Sequence, residues 1–173
     1  MHKLLVPSPV GMLEIAGTEK GVVSVNFAKK GAPAKMSAMK MASGKAAAMS
    51  AQAASRASVP APLRDCARQL EEYFAGRRKS FDCRLDLQGT DFQKKVWRAL
   101  MKVPFGKTAS YGKIARAVGR PGAARAVGGA NHANPVAVIV PCHRIIGADG
   151  SLTGYGAGIE RKAWLLEHEQ RGA

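Results

Sequence analysis

The sequence predicts an α/β protein in two parts, a small N-terminal α/β part over residues 1–88 and a mostly helical C-terminal part over residues 89–173. Three observations support this fold class. β-rich runs bounded by glycines occupy the beginning of the chain, apolar residues with helical spacing follow Pro60, and from Thr90 onward the pattern is helical. We place the domain boundary near Gly89, where a strand-like alternation stops.

The N-terminal part begins with a predicted hairpin, followed later by a helix. Residues 11–17 and 21–27 are the two β-rich runs, and both are flanked by glycines. Prolines at 60 and 62 mark the start of a helix whose apolar stripe ends at Gly76. Cys66 lies on that stripe, so we expect it to be a small buried residue.

Two further segments complete the N-terminal part. Residues 81–87 alternate strictly between apolar and polar residues, which predicts a strand with Cys83 on its buried face. Residues 31–58 are mostly Ala, Met, Ser, Lys and Gly, and they contain no bulky branched or aromatic residue. Such a segment can bury little surface, which predicts a flexible loop or a marginal helix.

In the C-terminal part, three helices are predicted before Cys142. Thr90 or Asp91 caps the first helix, which ends before Pro104. Ser110 caps a second helix over residues 111–118, and a four-residue turn with two glycines leads into a third over residues 123–130. Helix, short glycine-containing turn and helix is the spacing of a helix-turn-helix.

The third of these helices has an unusual composition for a helix that binds nucleic acid. Arg125 is its one long polar side chain, among alanines, valine and glycines. Direct reading of bases in a major groove requires several long hydrogen-bonding side chains. Small residues allow a close approach of the backbone, which is typical of binding in the minor groove with Arg125 as a wedge. A packed helix with one surface arginine is the alternative.

The distribution of charge favours a nucleic-acid partner. The formal net charge is +15, and no Asp or Glu lies between Asp91 and Asp149. Ten cations fall in that interval: Lys94, Lys95, Arg98, Lys102, Lys107, Lys113, Arg116, Arg120, Arg125 and Arg144. A solvated surface normally mixes the two signs, so an interval of one sign indicates a polyanion.

Other features of the sequence indicate the cellular compartment of the protein. No apolar run approaches the roughly 20 residues needed to span a bilayer, and the N-terminus lacks the pattern of a secretion signal. Three cysteines at irregular spacing form no disulfide framework, and Cys66 and Cys83 lack the spacing of a zinc site. We therefore expect an intracellular, cytoplasmic protein that binds neither a membrane, a metal nor a cofactor.

The adjacent Cys142 and His143 are the candidate chemical centre. They follow residues 134–140, a β-branched apolar run that predicts a buried extended segment. Neighbouring side chains on an extended chain point in opposite directions, so a bridging water is the simplest link between thiol and imidazole. A carboxylate from the predicted helix 159–170 could orient the imidazole, and we expect the thiol to be held as a thiolate.

Around this pair the sequence resembles the O6-alkylguanine-DNA alkyltransferases. The resemblance rests on Pro141-Cys142-His143-Arg144 with Asn134-Pro135 before it and Gly154-Tyr155 after it. It continues through Phe92–Trp97, Ser110–Gly112, Ala124–Gly129 and Trp164–Glu167, in one order over residues 62–173. Residues 1–27 are similar to the weaker N-terminal part of that family, whereas residues 31–58 are not a family feature. The family fold implies a ribonuclease H-like N-terminal domain and a winged-helix-like C-terminal one.

The resemblance implies a suicide DNA repair protein that flips an alkylated guanine out of duplex DNA, probing the minor groove, and moves the alkyl group onto itself. O4-methylthymine is a second implied substrate. Cys142 would be the acceptor, His143 would deprotonate it through a water, and Glu169 would orient His143. Asn134 would hold the turn that carries the cysteine, and Tyr111 would protonate the guanine as its O6 leaves. The thioether product has no good leaving group, so each molecule would act once. We also expect the protein to be a monomer.

The same resemblance gives the predicted contacts with DNA. Arg125 would replace the extruded base in the stack, and its small neighbours Ala124, Ala126 and Gly128 would allow close approach. Arg144 is the fifth predicted DNA-binding residue.

The pocket for the flipped base is predicted from the same signature. Tyr155 and Gly156 would wall it, with Ile145 and Val138 as further lining residues. Some family members carry Pro where this chain has Ala137, so the breadth of the pocket is not determined by the resemblance.

Three other interpretations of the Cys-His pair stay open on the sequence. A Cys-His hydrolase would need an oxyanion hole, for which the sequence offers no residues. A DNA-binding protein without chemistry is similar to the family's non-catalytic relatives that sense alkylated bases, but those lack the cysteine. A structural thiol beside a solvated histidine is the third.

Overall fold

The computed structural model describes residues 1–28 and 57–173. Its N-terminal sheet has three antiparallel strands in the order β1 (His2–Val6), β2 (Leu13–Thr18) and β3 (Gly21–Phe27). The predicted hairpin is confirmed as β2 and β3, whereas β1 was not predicted. Leu4 and Val6 are the buried residues of β1, a pattern too short to distinguish it from a loop.

Helix α1 (Ala61–Phe74) packs against this sheet and confirms the predicted helix. The buried side chains recur at helical spacing and include Leu63, Cys66, Leu70 and Tyr73. Gly17 of β2 lies close to the helix, and a Cβ there would come within 2.9 Å of a methyl group of Leu63. The absence of a side chain at this position lets the helix approach the sheet.

The segment 81–87 was predicted as a strand, and this prediction is wrong. Its backbone pairs at one point, where the Val22 amide donates to the Arg84 carbonyl and the Asp86 amide to the Val22 carbonyl, both at 2.8 Å. The rest of the β3 edge is occupied, because Val25 pairs with residues 135–137 in the same way. Two segments therefore share one short edge strand, and neither has room for a ladder.

Helix α2 (Asp91–Met101) opens the C-terminal part and confirms the predicted capping. The Thr90 hydroxyl accepts the Gln93 amide at 3.2 Å, and the Gln93 side chain accepts the Thr90 amide at 2.9 Å. These two bonds satisfy donors at the helix N-terminus that would otherwise lack partners. Trp97, fully buried on this helix, donates from its indole nitrogen to the Ala130 carbonyl at 2.8 Å.

Two short helices follow, α3 (Tyr111–Ala117) and α4 (Ala124–His132). Ser110 caps α3 as predicted, accepting the Lys113 amide at 3.2 Å. The connection turns at Gly119 and Gly122, whose φ angles of 76° and 90° favour glycine. Helix α4 extends two residues beyond the predicted end, because its last turn packs Asn131 into the interior.

The buried segment 134–140 is folded as a turn, so the predicted extended conformation is wrong. The Val140 amide donates back to the Val136 carbonyl at 3.0 Å, and Val138 has a φ angle of 72°. Apolar β-branched residues favour a strand when they have a partner edge, but here the edge of β3 accepts only Val136. The chain turns back and enters the one-turn 3-10 helix Cys142–Arg144.

The final elements bring the ends of the C-terminal part together. Strand β4 (Ala109–Ser110) pairs in parallel with β5 (Ile145–Ile146), which places the start of α3 beside the end of the 3-10 turn. Helix α5 (Ile159–Gly172) confirms the predicted C-terminal helix and buries Lys162, Leu165 and Glu169. Buried side chains of both parts of the chain form one contiguous apolar cluster.

The predicted division at Gly89 falls in the irregular connection between Leu85 and α2. The predicted low-complexity segment 31–58 lies, apart from its last two residues, outside the described residues. None of the helices in residues 57–173 combines the length and the apolar character that crossing a membrane requires.

Replacing Thr90 by Ala should lower the free energy of unfolding by about 1 kcal/mol, because the N-terminal amides of α2 lose their capping acceptor. Urea-induced unfolding measures this change. Thr108→Ala is a matched control, since Thr108 is exposed and makes no side-chain hydrogen bond to a described residue. Equal losses for the two variants would contradict the capping role.

Candidate active site

Cys142 lies at the start of the 3-10 turn, almost completely buried at 6% exposure. Its backbone amide donates to the Val140 carbonyl at 2.8 Å, and the Arg144 amide donates to the Pro141 carbonyl at 3.0 Å. These bonds bend the chain sharply on both sides of the cysteine. The backbone therefore fixes the direction of the Cα–Cβ bond of Cys142, which carries the thiol.

The side chain of Asn134 braces the preceding turn from within. Its Nδ2 donates to the Val140 carbonyl at 2.9 Å, and its Oδ1 accepts the Val136 amide at 3.0 Å. The bonds hold together a turn that contains Val138 in a left-handed conformation, which a β-branched residue rarely adopts. Asn134 therefore lies on the turn that carries the cysteine, where the resemblance placed it.

Burial raises the pKa of the Cys142 thiol, and the opposing effects of a hydrogen bond from Asn134 and of the Lys162 charge are smaller. The thiol is therefore protonated at neutral pH in the resting protein. The expectation of a permanently ionised thiolate was wrong, because apolar surroundings that suit an alkylated base also disfavour an anion. The proton has to leave during the reaction, which requires a base.

His143 has the protonation state that such a base needs. Its Nε2 lies 2.8 Å from Glu169 Oε1, and an ionised carboxylate only accepts, so Nε2 carries the proton. Burial lowers the pKa of His143, and the neighbouring carboxylate opposes this shift without reversing it. The imidazole is neutral, with the lone pair on Nδ1, and no described residue donates to that nitrogen.

Glu169 has further donors besides His143. Tyr73 Oη donates to Oε1 at 2.8 Å, and the Gly106 amide donates to Oε2 at 3.2 Å. Burial acts to raise the pKa of Glu169, but the bonds from His143 and Arg144 hold it well below its usual range. The carboxylate stays ionised, so the tautomer of His143 is held at any pH near neutrality.

Arg144 was predicted to bind DNA, and the structure contradicts this. Its side chain is buried, with Nε and Nη2 each donating to Glu169 at 2.9 Å and Nη1 to the Val103 carbonyl at 2.6 Å. A guanidinium with these partners cannot reach a phosphate without removing two hydrogen bonds and the paired charge from a buried carboxylate. The sequence suggested a surface cation because the acidic partner lies 25 residues away.

Lys162 is a residue of the site that sequence reasoning missed. Its ammonium group is fully buried and donates to the carbonyls of Ile145 and Thr153, the latter at 2.7 Å. Burial lowers its pKa, and the charge of Cys142 opposes that shift. A signal was present, since Lys162, Leu165 and Glu169 share the i, i+3, i+7 spacing of one helical face.

The thiol opens into a cleft of about 500 Å³. Tyr155 and Gly156 line it as predicted, and so does Ala137. Ile145 and Val138 do not line this cleft, because their side chains are fully buried in the apolar core. The other wall was not predicted and comes from the N-terminal part, through residues 26–28 at the end of β3.

The candidate DNA-binding residues lie on the exposed face of α4. Arg125 and Ala126 are exposed, whereas Ala124 and Gly128 are half-buried. The ring of Tyr111 lies beside Gly128, and its hydroxyl donates to the Thr153 carbonyl at 3.3 Å. Tyr111 therefore stands between α4 and the loop that leads to Tyr155.

Family models match nearly all of the chain. A model described as the DNA-binding domain of 6-O-methylguanine DNA methyltransferase matches residues 91–171, and one described as the ribonuclease-like domain matches residues 1–87. The ribonuclease-like character implied for the N-terminal part therefore agrees with the family description.

Relatives of known name match over most or nearly all of the chain. A methylated-DNA–protein-cysteine methyltransferase of Methanosarcina barkeri is 42% identical over 177 residues, covering 98% of each chain. One of Mycobacterium bovis is 60% identical over 111 residues, or 64% of this chain and 67% of the relative.

Solved structures of the Mycobacterium tuberculosis O6-methylguanine methyltransferase are similar in fold. One matches with a TM-score of 0.78 and 43% identity, covering 99% of this chain and 94% of that one. Another, in complex with DNA, has the same TM-score and identity and covers 100% and 95%. With a buried Cys-His-Glu arrangement in the C-terminal part and matches over its whole length, the chain belongs to the methylated-DNA–protein-cysteine methyltransferase family.

Proposed function

We propose that this protein repairs O6-alkylguanine in duplex DNA by moving the alkyl group irreversibly to Sγ of Cys142. The observation that carries the proposal is the cleft in which a buried thiol meets a neutral histidine held by a buried carboxylate. Family membership and the DNA complex of a relative at 43% identity support the choice of substrate. O4-methylthymine is a second substrate of the same chemistry.

In the proposed binding step, α3, its turn and α4 act as a helix-turn-helix on the minor groove. Arg125 enters the base stack in place of the extruded nucleotide, and Ala126 and Gly128 allow the helix backbone to approach the groove. Unstacking a base costs a few kcal/mol, and least for a pair that is already damaged. The cost therefore favours lesions over intact guanine.

In the proposed chemical step, the flipped base enters the cleft beside Tyr155. Nδ1 of His143 takes the thiol proton through a water, and the Cys142 thiolate attacks the alkyl carbon. The S–C bond forms as the C–O6 bond breaks, and Tyr111 donates a proton to the ring of the leaving guanine. Asn134 and Lys162 are placed to stabilise the thiolate while it exists. The product is a thioether, so the protein acts once.

A non-catalytic protein that senses alkylated bases is not favoured by these observations, because the cysteine is present and lines the cleft. The proposed site of action is the compartment that holds genomic DNA, which is the cytoplasm in a bacterium.

Incubation with duplex carrying radiolabelled O6-methylguanine should leave one equivalent of methyl group per chain, attached to Cys142. Cys142→Ser should incorporate none yet retain duplex binding in a gel-shift assay, since the hydroxyl is a far weaker nucleophile. Cys66→Ser is the matched control and should label like the wild type. Labelling beyond one equivalent, or labelling of another residue, would contradict the proposal.

Replacing Arg125 by Ala should slow repair of duplex at least about tenfold while leaving the reaction with free O6-benzylguanine unchanged, because only the duplex requires a wedge. Single-turnover rate constants on the two substrates measure this. Arg77→Ala, which removes an exposed cation of the N-terminal part, should change neither rate. Equal losses of rate on both substrates would reject the wedge role.

The rate of reaction with free O6-benzylguanine should stay level as the pH falls from neutrality to 6.5, the ordinary pKa of histidine. Burial lowers the pKa of His143, so the neutral base persists below that value and activity is lost only in more acidic solution. In His143→Gln the rate should instead rise with pH in proportion to the thiolate fraction. A wild-type profile that rises in this way would show that His143 is not the base.

A further inference from the structure

The cleft that contains Cys142 and Tyr155 is called the acceptor cleft below. A second concave site lies away from it, between α2, α3 and the loop that joins them. The groove has a volume of about 650 Å³ and shares no lining residue with the acceptor cleft. Pockets of this size are typical of binding sites. Its position on α3 leaves the exposed Arg125 face of α4 uncovered.

The floor of this groove is aliphatic. Ala99, Val103, Ala109, Ile114 and Val118 lie along it, and no aromatic side chain is among its lining residues. Single-stranded nucleic acid binds grooves through stacking of its bases on aromatic rings. Duplex DNA presents charged phosphates to the surface it contacts and gains nothing from a concave apolar floor. The floor therefore suits aliphatic or aromatic side chains of a partner.

The rim of the groove is cationic. Five exposed side chains form it: Lys95, Arg98, Lys102, Lys107 and Lys113. None of them makes an ion pair with a described residue, whereas Lys3, Arg68, Arg78 and Arg171 elsewhere on the surface all have carboxylate partners.

The stretches of sequence that form this rim contain no acidic side chain. Residues 92–148 contain no Asp or Glu, and residues 29–56, which the structure does not describe, contain none either. Like charges arranged around one concavity repel each other and focus a positive potential in it. A partner can therefore supply the counter-charge that the described residues do not provide.

We propose that this groove is a docking site for an acidic peptide segment of a partner protein, with apolar side chains on the floor and carboxylates on the rim. Charge complementarity selects the acidic character, and the aliphatic floor selects a peptide over a nucleic acid. Lys95 on α2 and Lys102, the residue just after its end, are seven positions apart, or about 10 Å along the helix axis, which is enough for a turn or two of helix or a few extended residues. The groove lies on the side of α3 that faces α2 and shares no residue with α4 or the acceptor cleft, so we expect the partner and DNA to bind at the same time.

The probe for this proposal is a fluorescein-labelled synthetic peptide in which Asp alternates with Leu and Phe, titrated with the full-length protein in a fluorescence anisotropy assay. Two altered peptides separate the two parts of the interaction, one with Asn in place of Asp and one with Ser in place of Leu and Phe. We expect saturable binding of the first peptide and at least about tenfold weaker binding of each altered peptide.

Charge-reversal variants locate the site. Lys102→Glu and Lys107→Glu should each weaken binding of the peptide about tenfold or more, because each replaces an attraction by a repulsion. Lys20→Glu has the same effect on net charge but lies in the turn between β2 and β3, and should change the affinity less than about twofold. Ala117→Trp should fill the groove and block the peptide without any change of charge. All four variants should retain the reaction with free O6-benzylguanine, which does not require duplex binding and therefore shows that they are folded.

The wild-type protein saturated with undamaged duplex should still bind the peptide. Three results would overturn the proposal: no saturable binding to the wild type, equal weakening by Lys20→Glu and Lys102→Glu, or displacement of the peptide by duplex. In the last case, with duplex binding itself weakened by Lys102→Glu, the groove would be part of the DNA-binding surface.

Discussion

The buried carboxylate of Glu169 is the interaction on which the geometry of this protein depends. It accepts hydrogen bonds from Tyr73 on α1, from His143 and Arg144 on the 3-10 turn, and from the Gly106 amide in the loop after α2. A carboxylate taken out of water loses several kcal/mol of solvation, and only a full set of donors offsets this. Removing one partner from such a buried cluster typically costs about 3–5 kcal/mol. The position of the acceptor cysteine is therefore tied to the stability of the whole molecule.

In the resting site the thiol is in its unreactive form, while the histidine beside it is already in the form that accepts a proton. The Cys142 thiol is protonated because burial raises its pKa, and His143 is neutral because burial lowers its pKa. A protonated thiol is a poor nucleophile, so stray electrophiles react with it slowly. Because the proposed reaction uses the cysteine only once, the low reactivity of its thiol keeps it available for the lesion. Asn134 and the charge of Lys162 then favour the thiolate when the proton is removed.

The N-terminal sheet contributes to the site through the edge of β3. Val25 exchanges two backbone hydrogen bonds with Pro135 and Ala137, at 2.9 and 2.8 Å, on the turn that precedes the cysteine. Directly after Val25, residues 26–28 form one wall of the acceptor cleft, and Arg161 of α5 stacks on the ring of Phe27 with 4.8 Å between the guanidinium and the ring centre. The two parts of the chain are thus distinct in sequence but share one core and one cleft. The position of the sheet therefore fixes both this wall of the cleft and the turn before the cysteine, because both contact the same strand.

Local signals in the sequence determined the helices and their ends, since capping by Thr90 and Ser110 depends on residues only three apart. The resemblance of the motif around Cys142 identified the reacting pair and the distant Glu169. Only the tertiary structure determined the surroundings of each polar group. Nothing local distinguishes Arg144 from a surface cation, and the spacing of Lys162 with Leu165 and Glu169 indicates a buried face without identifying its partners. Both cations are buried against groups far along the chain. Likewise, residues 134–140 and 81–87 have the composition of strands, but whether they form strands depends on how much free edge β3 can offer. Hydrogen-bond partners and solvent access are properties of the assembled chain, and for that reason the sequence alone could not assign them.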